Sequence, residues 1–158
     1  MIDFTNIIVG HEYDRPALAE MWGYQSFNAI SRGVFTPRDT NVIILFITKE
    51  KQETLTQYED HIDADTLFWE GEKGHGNDQR IISRKDEIHV FYRGRHHSDF
   101  IYKGRALLLN FHLFTERPSK FVFQLVDQKI DYADIVAEVR EDYLINDTEK
   151  EAIIKSRI

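Results

Sequence analysis

The order of apolar and polar positions divides the chain into a strand-rich body and a helical tail. Near the N-terminus, EYDRPALAEMWG sets Leu18, Met21 and Trp22 at helical spacing. Asp14 is placed to cap that helix, Pro16 falls in its first turn, and Gly23 stops it. TNVIILFITKE is a nearly continuous, β-branched apolar run, the pattern of a strand buried on both faces. DTLFWEG reads as a short strand centred on Phe68 and Trp69. GEKGHGNDQRI, with Gly71, Gly74 and Gly76 close together, is the most loop-like stretch.

EIHVFYR alternates, with Ile88, Val90 and Tyr92 on one face and Glu87, His89, Phe91 and Arg93 on the other. FIYKGRALLLNFHLF is a long strand whose parity changes. Phe100 and Tyr102 share one face, whereas Leu107, Leu109, Phe111 and Leu113 have the opposite parity. Gly104 lies at the change and predicts a β-bulge or sharp bend. KFVFQLV adds a strand after the turn at Pro118. Several strands, many local turns and few helices predict an α+β domain over residues 1–126, a small bent or closed β-barrel with covering helices. The tail differs in kind. DYADIVAEVREDYL and TEKEAIIKSRI have helical spacing, and the second opens on a Thr148-x-x-Glu151 capping box, so a helical segment is expected over residues 127–158.

Composition changes this picture little. With 42% hydrophobic and 13% aromatic residues, the 158-residue chain can bury an ordinary core. No apolar run approaches membrane-spanning length and no signal-peptide pattern is present, so neither membrane insertion nor secretion is expected. The absence of cysteine excludes disulfides and thiolate metal sites and fits a cytoplasmic protein.

Charge is more informative. The net charge of −7 argues against nucleic-acid binding over the whole surface. Residues 80–105, however, carry seven Lys/Arg against three acids, while residues 49–73 carry eight acids against three bases. Residues 127–158 carry nine acids against five bases. A basic segment inside an acidic protein is the mark of a small anionic footprint.

Catalytic patterns are weak. In an extended strand His96 and His97 would point to opposite faces, and no other histidine stands at a ligand spacing from them, so no metal site is predicted. Asp127-Gln128-Lys129 has the acid-x-Lys spacing of one nuclease core, but the upstream acid is not evident. There is no G-x-S-x-G elbow and no phosphate-binding G-x-x-x-x-G-K loop. Aromatic, hydrogen-bonding and cationic residues do gather around Trp69–Arg80 and Arg93–Arg105, the residue types that an extruded or single-stranded base requires.

GHEYDRPALAEMWGYQSFNAISRGVFTPRDTNVIILFIT, FWEGEKGHGNDQRI, and EIHVFYRGRHHSDFIYKGR followed by ERPSKFVFQL resemble the N-terminal region of a family of bacterial HNH endonucleases. A weaker similarity runs to a module at the C-terminal end of some helicase-type restriction proteins, which belongs with the PUA-like barrels. The resemblance implies a PUA/SRA-like fold and the DNA-recognition domain of a type IV-like, modification-dependent restriction endonuclease acting in phage defence. NDTEKEAIIKSRI is similar to the helical segment that leads into the HNH nuclease domain of such proteins. Residues 127–158 are therefore expected to be a linker toward that domain, and this chain, which carries no HNH motif, is not itself expected to be an enzyme.

The implied partner is double-stranded DNA carrying a modified base such as 5-methylcytosine or 5-hydroxymethylcytosine, flipped into an aromatic pocket, with no cofactor. Trp22, Tyr24, Trp69 and Tyr102 are the candidate pocket aromatics, and Ser31 and Arg32 on the AISRG turn offer donors. Arg80, Arg93, Arg95, His96, His97 and Lys103 are the candidate phosphate contacts. The alternatives are an RNA-binding PUA-like module and a protein-interaction or homodimerisation domain that uses the acidic tail.

Overall fold

Asp14 does cap the first helix: its carboxylate accepts the Ala17 N–H at 2.7 Å, and Gly23 takes a left-handed φ of +80° just beyond the helix end. The computed structural model describes residues 2–50 and 60–126. Its elements are β1 (Glu12–Tyr13), α1 (Arg15–Met21), a 3-10 turn (Phe27–Ile30), β2 (Val34–Phe35) and β3 (Val42–Glu50). They continue with β4 (His61–Asp63), β5 (Thr66–Glu70), α2 (Asp78–Ile82), β6 (Glu87–Arg95), β7 (Phe100–His112) and β8 (Lys120–Leu125). The expected helices of the tail, the Asp127–Lys129 motif and the boundary they imply lie outside the described residues.

The strands form one mixed sheet in the order β2-β3-β6-β7-β8-β5-β4, and β1 pairs with the start of β7. All pairs are antiparallel except β3 with β6, which run parallel. Val34 from one end of this path and Leu67 and Trp69 from the other share a single core with residues of every strand between them. The sheet is therefore bent into an open barrel whose two ends approach without pairing.

A second core lies outside the barrel wall. There α1 and the N-terminal segment cover the outer faces of β3, β6 and β7 with Leu18, Trp22, Ile44, Phe46, Phe91 and Phe100. This double cover explains the unbroken apolar run of β3. Ile43, Leu45 and Ile47 point into the barrel, and Ile44 and Phe46 point outward under α1. The alternation read for β6 holds in the same way, with Ile88 and Val90 inside and Phe91 outside.

The bulge predicted at Gly104 is present. Val90 pairs with Gly104 but Phe91 pairs with Tyr102, which leaves Lys103 as the extra residue, and Gly104 has φ +84°. That insertion moves one parity of β7 between the two cores. Phe100 and Tyr102 pack outside the barrel, whereas Ala106 and Leu108 pack inside it. The parity reading located the bulge but not the core beyond it: Leu107 is 48% exposed, Phe111 and Leu113 39%. Replacing Gly104 with valine forces a β-branched residue into the left-handed region. A loss of about 1–3 kcal/mol is expected in the denaturant midpoint.

GEKGHGNDQRI is only half a loop, because its end forms α2. Asn77 makes no side-chain cap, so tertiary bonds hold the element instead. Asp78 accepts from Ser119 Oγ at 2.8 Å and lies 2.8 Å from His75 Nδ1. No helix among the described residues is long and apolar enough to cross a membrane.

Candidate nucleic-acid interface

The unpaired ends of the bent sheet leave a seam, and the seam holds a cavity of about 150 Å³. Gly33 and Val34 line one side with Phe46, and Asp60 lines the other with Trp69, Glu70, Gly71 and Glu72. Gly71 sets the approach of the second wall. A Cβ there would come within 2.9 Å of Phe121 Cε2 and 3.2 Å of Asp78 Oδ1, and its N–H donates to the Ser119 carbonyl at 2.8 Å. Glycine lets the chain after β5 lie flat on the barrel end.

The cavity is acidic. Asp60 is buried and its Oδ1 accepts the Glu70 N–H at 2.8 Å. Glu72 accepts from Asn77 Nδ2 at 2.7 Å. Glu70 is half-buried, and its carboxylate has no hydrogen-bond or ion-pair partner among the described residues. Burial pushes the Tyr92 phenol above its ordinary value, reinforced by the charge of Asp60. Carboxylates in such a place accept hydrogen bonds from amino groups and repel phosphate.

Phe46 joins this cavity to a cationic rim. The Arg15 guanidinium lies 4.9 Å from the Phe46 ring centroid, and Arg93, paired across the sheet with Thr48, donates from Nε to Thr48 Oγ1 at 2.7 Å. Arg95 ends β6, and His96 and His97 form the exposed turn that follows. His97 has φ +68°, Ser98 N–H donates to the Arg95 carbonyl, and the two imidazole rings meet at 3.9 Å and 72°. The strand alternation invoked to separate the two histidines therefore does not apply, because they occupy a turn. Partial desolvation, then His97, Arg93 and Arg15, hold the His96 imidazole below its ordinary value. No group of three or more potential metal-binding side chains occurs among the described residues.

The other sequence-predicted residues are placed differently. Trp22 and Tyr102 belong to the outer core: the Trp22 indole donates to the Asp3 carbonyl at 3.1 Å, and the Tyr102 hydroxyl lies 2.6 Å from His89 Nδ1. Both are packing residues here and do not line the seam. Tyr24 lines a separate open depression with Pro16 and Phe27. The AISRG turn reaches the cavity through Gly33. Ser31 is exposed and donates to the Asn28 carbonyl, and Arg32 is exposed. Lys103 is half-buried at the bulge.

Arg80, read from the sequence as a phosphate contact, is engaged in an ion pair within the domain. It grips Asp86 through two bonds of 2.9 and 2.8 Å and donates to the Thr40 carbonyl at 3.0 Å. The Arg80 hydrogen bonds hold the Asp86 carboxyl below its ordinary value. A depressed carboxylate pKa contributes stability above the ordinary carboxylate range and loses it as pH falls through the lowered value. Arg80→Ala is accordingly expected to cost about 1–3 kcal/mol at neutral pH, since Asp86 would keep a poorly solvated charge. Unfolding curves of the two proteins should converge in strong acid.

Sequence reading missed Arg15, Phe46, Asp60, Glu70 and Glu72. The three acids had one trace, the negative balance of residues 49–73. Arg15 and Phe46 had none: Phe46 lay in a run read as a buried strand, and Arg15 in a helix read only for its apolar spacing.

No protein-family model and no curated protein matches the sequence. Solved structures do match, and they show that the chain has an SRA-like fold. The SUVH5 SRA domain in complex with hemi-methylated CG DNA superposes with a TM-score of 0.52 at 16% identity, over 78% of this chain and 91% of that one. The same domain with fully methylated CG DNA gives 0.51 at 14% identity, over 80% and 93%.

Proposed function

We propose that this domain reads a modified base in double-stranded DNA, as the recognition part of a type IV-like restriction endonuclease. The observation that supports the reading is an acidic, aromatic-edged seam beside a cationic hairpin tip, on a fold whose solved SUVH5 counterparts are complexes with methylated CG DNA. Arg93, Arg95, His96 and His97 grip the backbone, and the base leaves the stack and enters the seam. Unstacking costs a few kcal/mol. Trp69 returns part of it through contact with the ring, and Asp60, Glu70 and Glu72 offer acceptors for an exocyclic amino group. Charge thus sorts the ligand: phosphates are held at the rim and excluded from the seam. Cytosine, adenine and guanine carry such an amino group and thymine does not, so the acceptors disfavour a thymine-type base, and a modified cytosine is favoured by the complexes above. Cleavage is assigned to an HNH domain of the parent protein on the sequence resemblance alone.

The test is a binding panel on one duplex carrying cytosine, 5-methylcytosine, 5-hydroxymethylcytosine, glucosylated cytosine or N6-methyladenine at one position, with a structured RNA as competitor. One modified duplex is expected to bind more tightly than the unmodified one and to resist the RNA. Equal binding across the panel, or displacement by the RNA, would sink the reading. A 2-aminopurine placed beside the modified base should brighten if that base is extruded.

A further inference from the structure

Arg15 and Arg93 come from distant parts of the chain and meet over one ring. The Arg93 guanidinium carbon lies 4.2 Å from the Phe100 ring centroid, and that of Arg15 lies 4.9 Å from the same centroid. Both spend donors on neutral oxygens only. Arg15 Nε donates to the Ile30 carbonyl at 3.1 Å, and Arg93 donates to Thr48 Oγ1 and, at 3.2 Å, to the Ser98 carbonyl. Neither has a carboxylate partner among the described residues. The contrast with Arg80 is direct, for there an acid answers the charge.

Burial pushes Arg15 down to about 10, with the Arg93 charge as the second cause, and burial lowers Arg93 as well. At neutral pH both remain charged. Two half-buried like charges held against one ring are unfavourable in the free protein, and a bound anion within reach of both would offset the repulsion. Planar guanidinium forks suit the oxygens of a phosphoryl group. Phe100 holds both forks in place by cation–π contact, so little ordering remains to be done on binding.

We propose that the Arg15–Phe100–Arg93 stack is a discrete oxyanion subsite that seats one phosphate of the bound DNA backbone. The source of the phosphate rests on the duplex-reading function above, whereas the anion site itself does not.

Two arms test it on the full chain. In the first, melting is followed in inorganic phosphate and in chloride of matched ionic strength. Phosphate is expected to raise the midpoint of the native protein more than that of Arg15→Met, whose side chain keeps the apolar contact with Phe46 and Phe100. Equal shifts overturn the subsite. In the second arm, Arg15→Met is expected to bind modified and unmodified duplexes about fivefold more weakly near ~0.15 M salt, with a salt slope smaller by about 0.9 and an unchanged preference. Arg15→Lys should recover the slope without the full affinity. An unchanged slope together with a lowered melting point assigns Arg15 to packing and overturns the proposal. If the native protein binds no duplex but the phosphate arm succeeds, the oxyanion site stands and the duplex reading falls.

Discussion

Arg93→Ala combined with Arg95→Ala is expected to weaken binding to every duplex by roughly thirtyfold near ~0.15 M salt and to lower the salt slope by about 1.8. The figure follows from counterion release, in which each phosphate neutralised frees close to one bound cation. Both residues sit at the end of β6, beside the exposed His96–His97 turn, with Arg95 exposed and Arg93 half-buried. The modified-to-unmodified ratio should not change, since backbone contacts carry no sequence information. Arg93 also stacks on Phe100 and bonds Thr48, so the double variant will melt somewhat lower and its binding must be measured where both proteins are folded. A salt slope equal to that of the parent protein would remove the tip as the gripping surface.

The second large effect is at Trp69, and it separates into two. Trp69 is only 6% exposed and packs on Phe121 and Phe123, with ring centroids 5.4 and 6.2 Å away. Trp69→Ala is expected to cost about 3–5 kcal/mol, since it leaves a void at the barrel mouth. For a small domain that is a large share of total stability. Trp69→Phe keeps an aromatic ring on the barrel side and gives up the larger surface at the seam. Its melting point should fall far less, while preference for modified DNA drops by roughly tenfold, within the range of base–aromatic stacking. Retention of full preference by a folded Trp69→Phe protein would place the recognised base somewhere other than the seam.

Much of the fold was legible because its signals are local. Asp14 and Gly23 bound α1 through cap chemistry, and the unbroken run from Val42 onward announced a strand covered twice. Gly104 announced the bulge. The site was not legible in the same way. The seam exists because β2, at one end of the sheet path, and β5, next to the other end, curve toward each other, and no residue pattern within either strand encodes that approach. Arg80 looked like a surface cation because its partner Asp86 is recognisable only once α2 is folded. The alternation used to weigh His96 and His97 as metal ligands holds for strands and fails at the left-handed residue that closes the hairpin. Trp22 and Tyr102 were assigned to a pocket on residue type alone, and the outer core claims both.

The parallel pairing of β3 with β6 carries a kinetic consequence. Val42 lies opposite Glu87, so the contact closes a loop of about 45 residues, at an entropic cost of about 3 kcal/mol. The β6–β7 hairpin can form early from neighbouring residues, but β3 must diffuse back to it before the wall of the barrel exists. Everything that forms the acidic side of the seam, from Asp60 to Glu72, lies within that loop. The seam is therefore expected to close late, after the β6–β7 hairpin that carries Arg93 and Arg95 has formed.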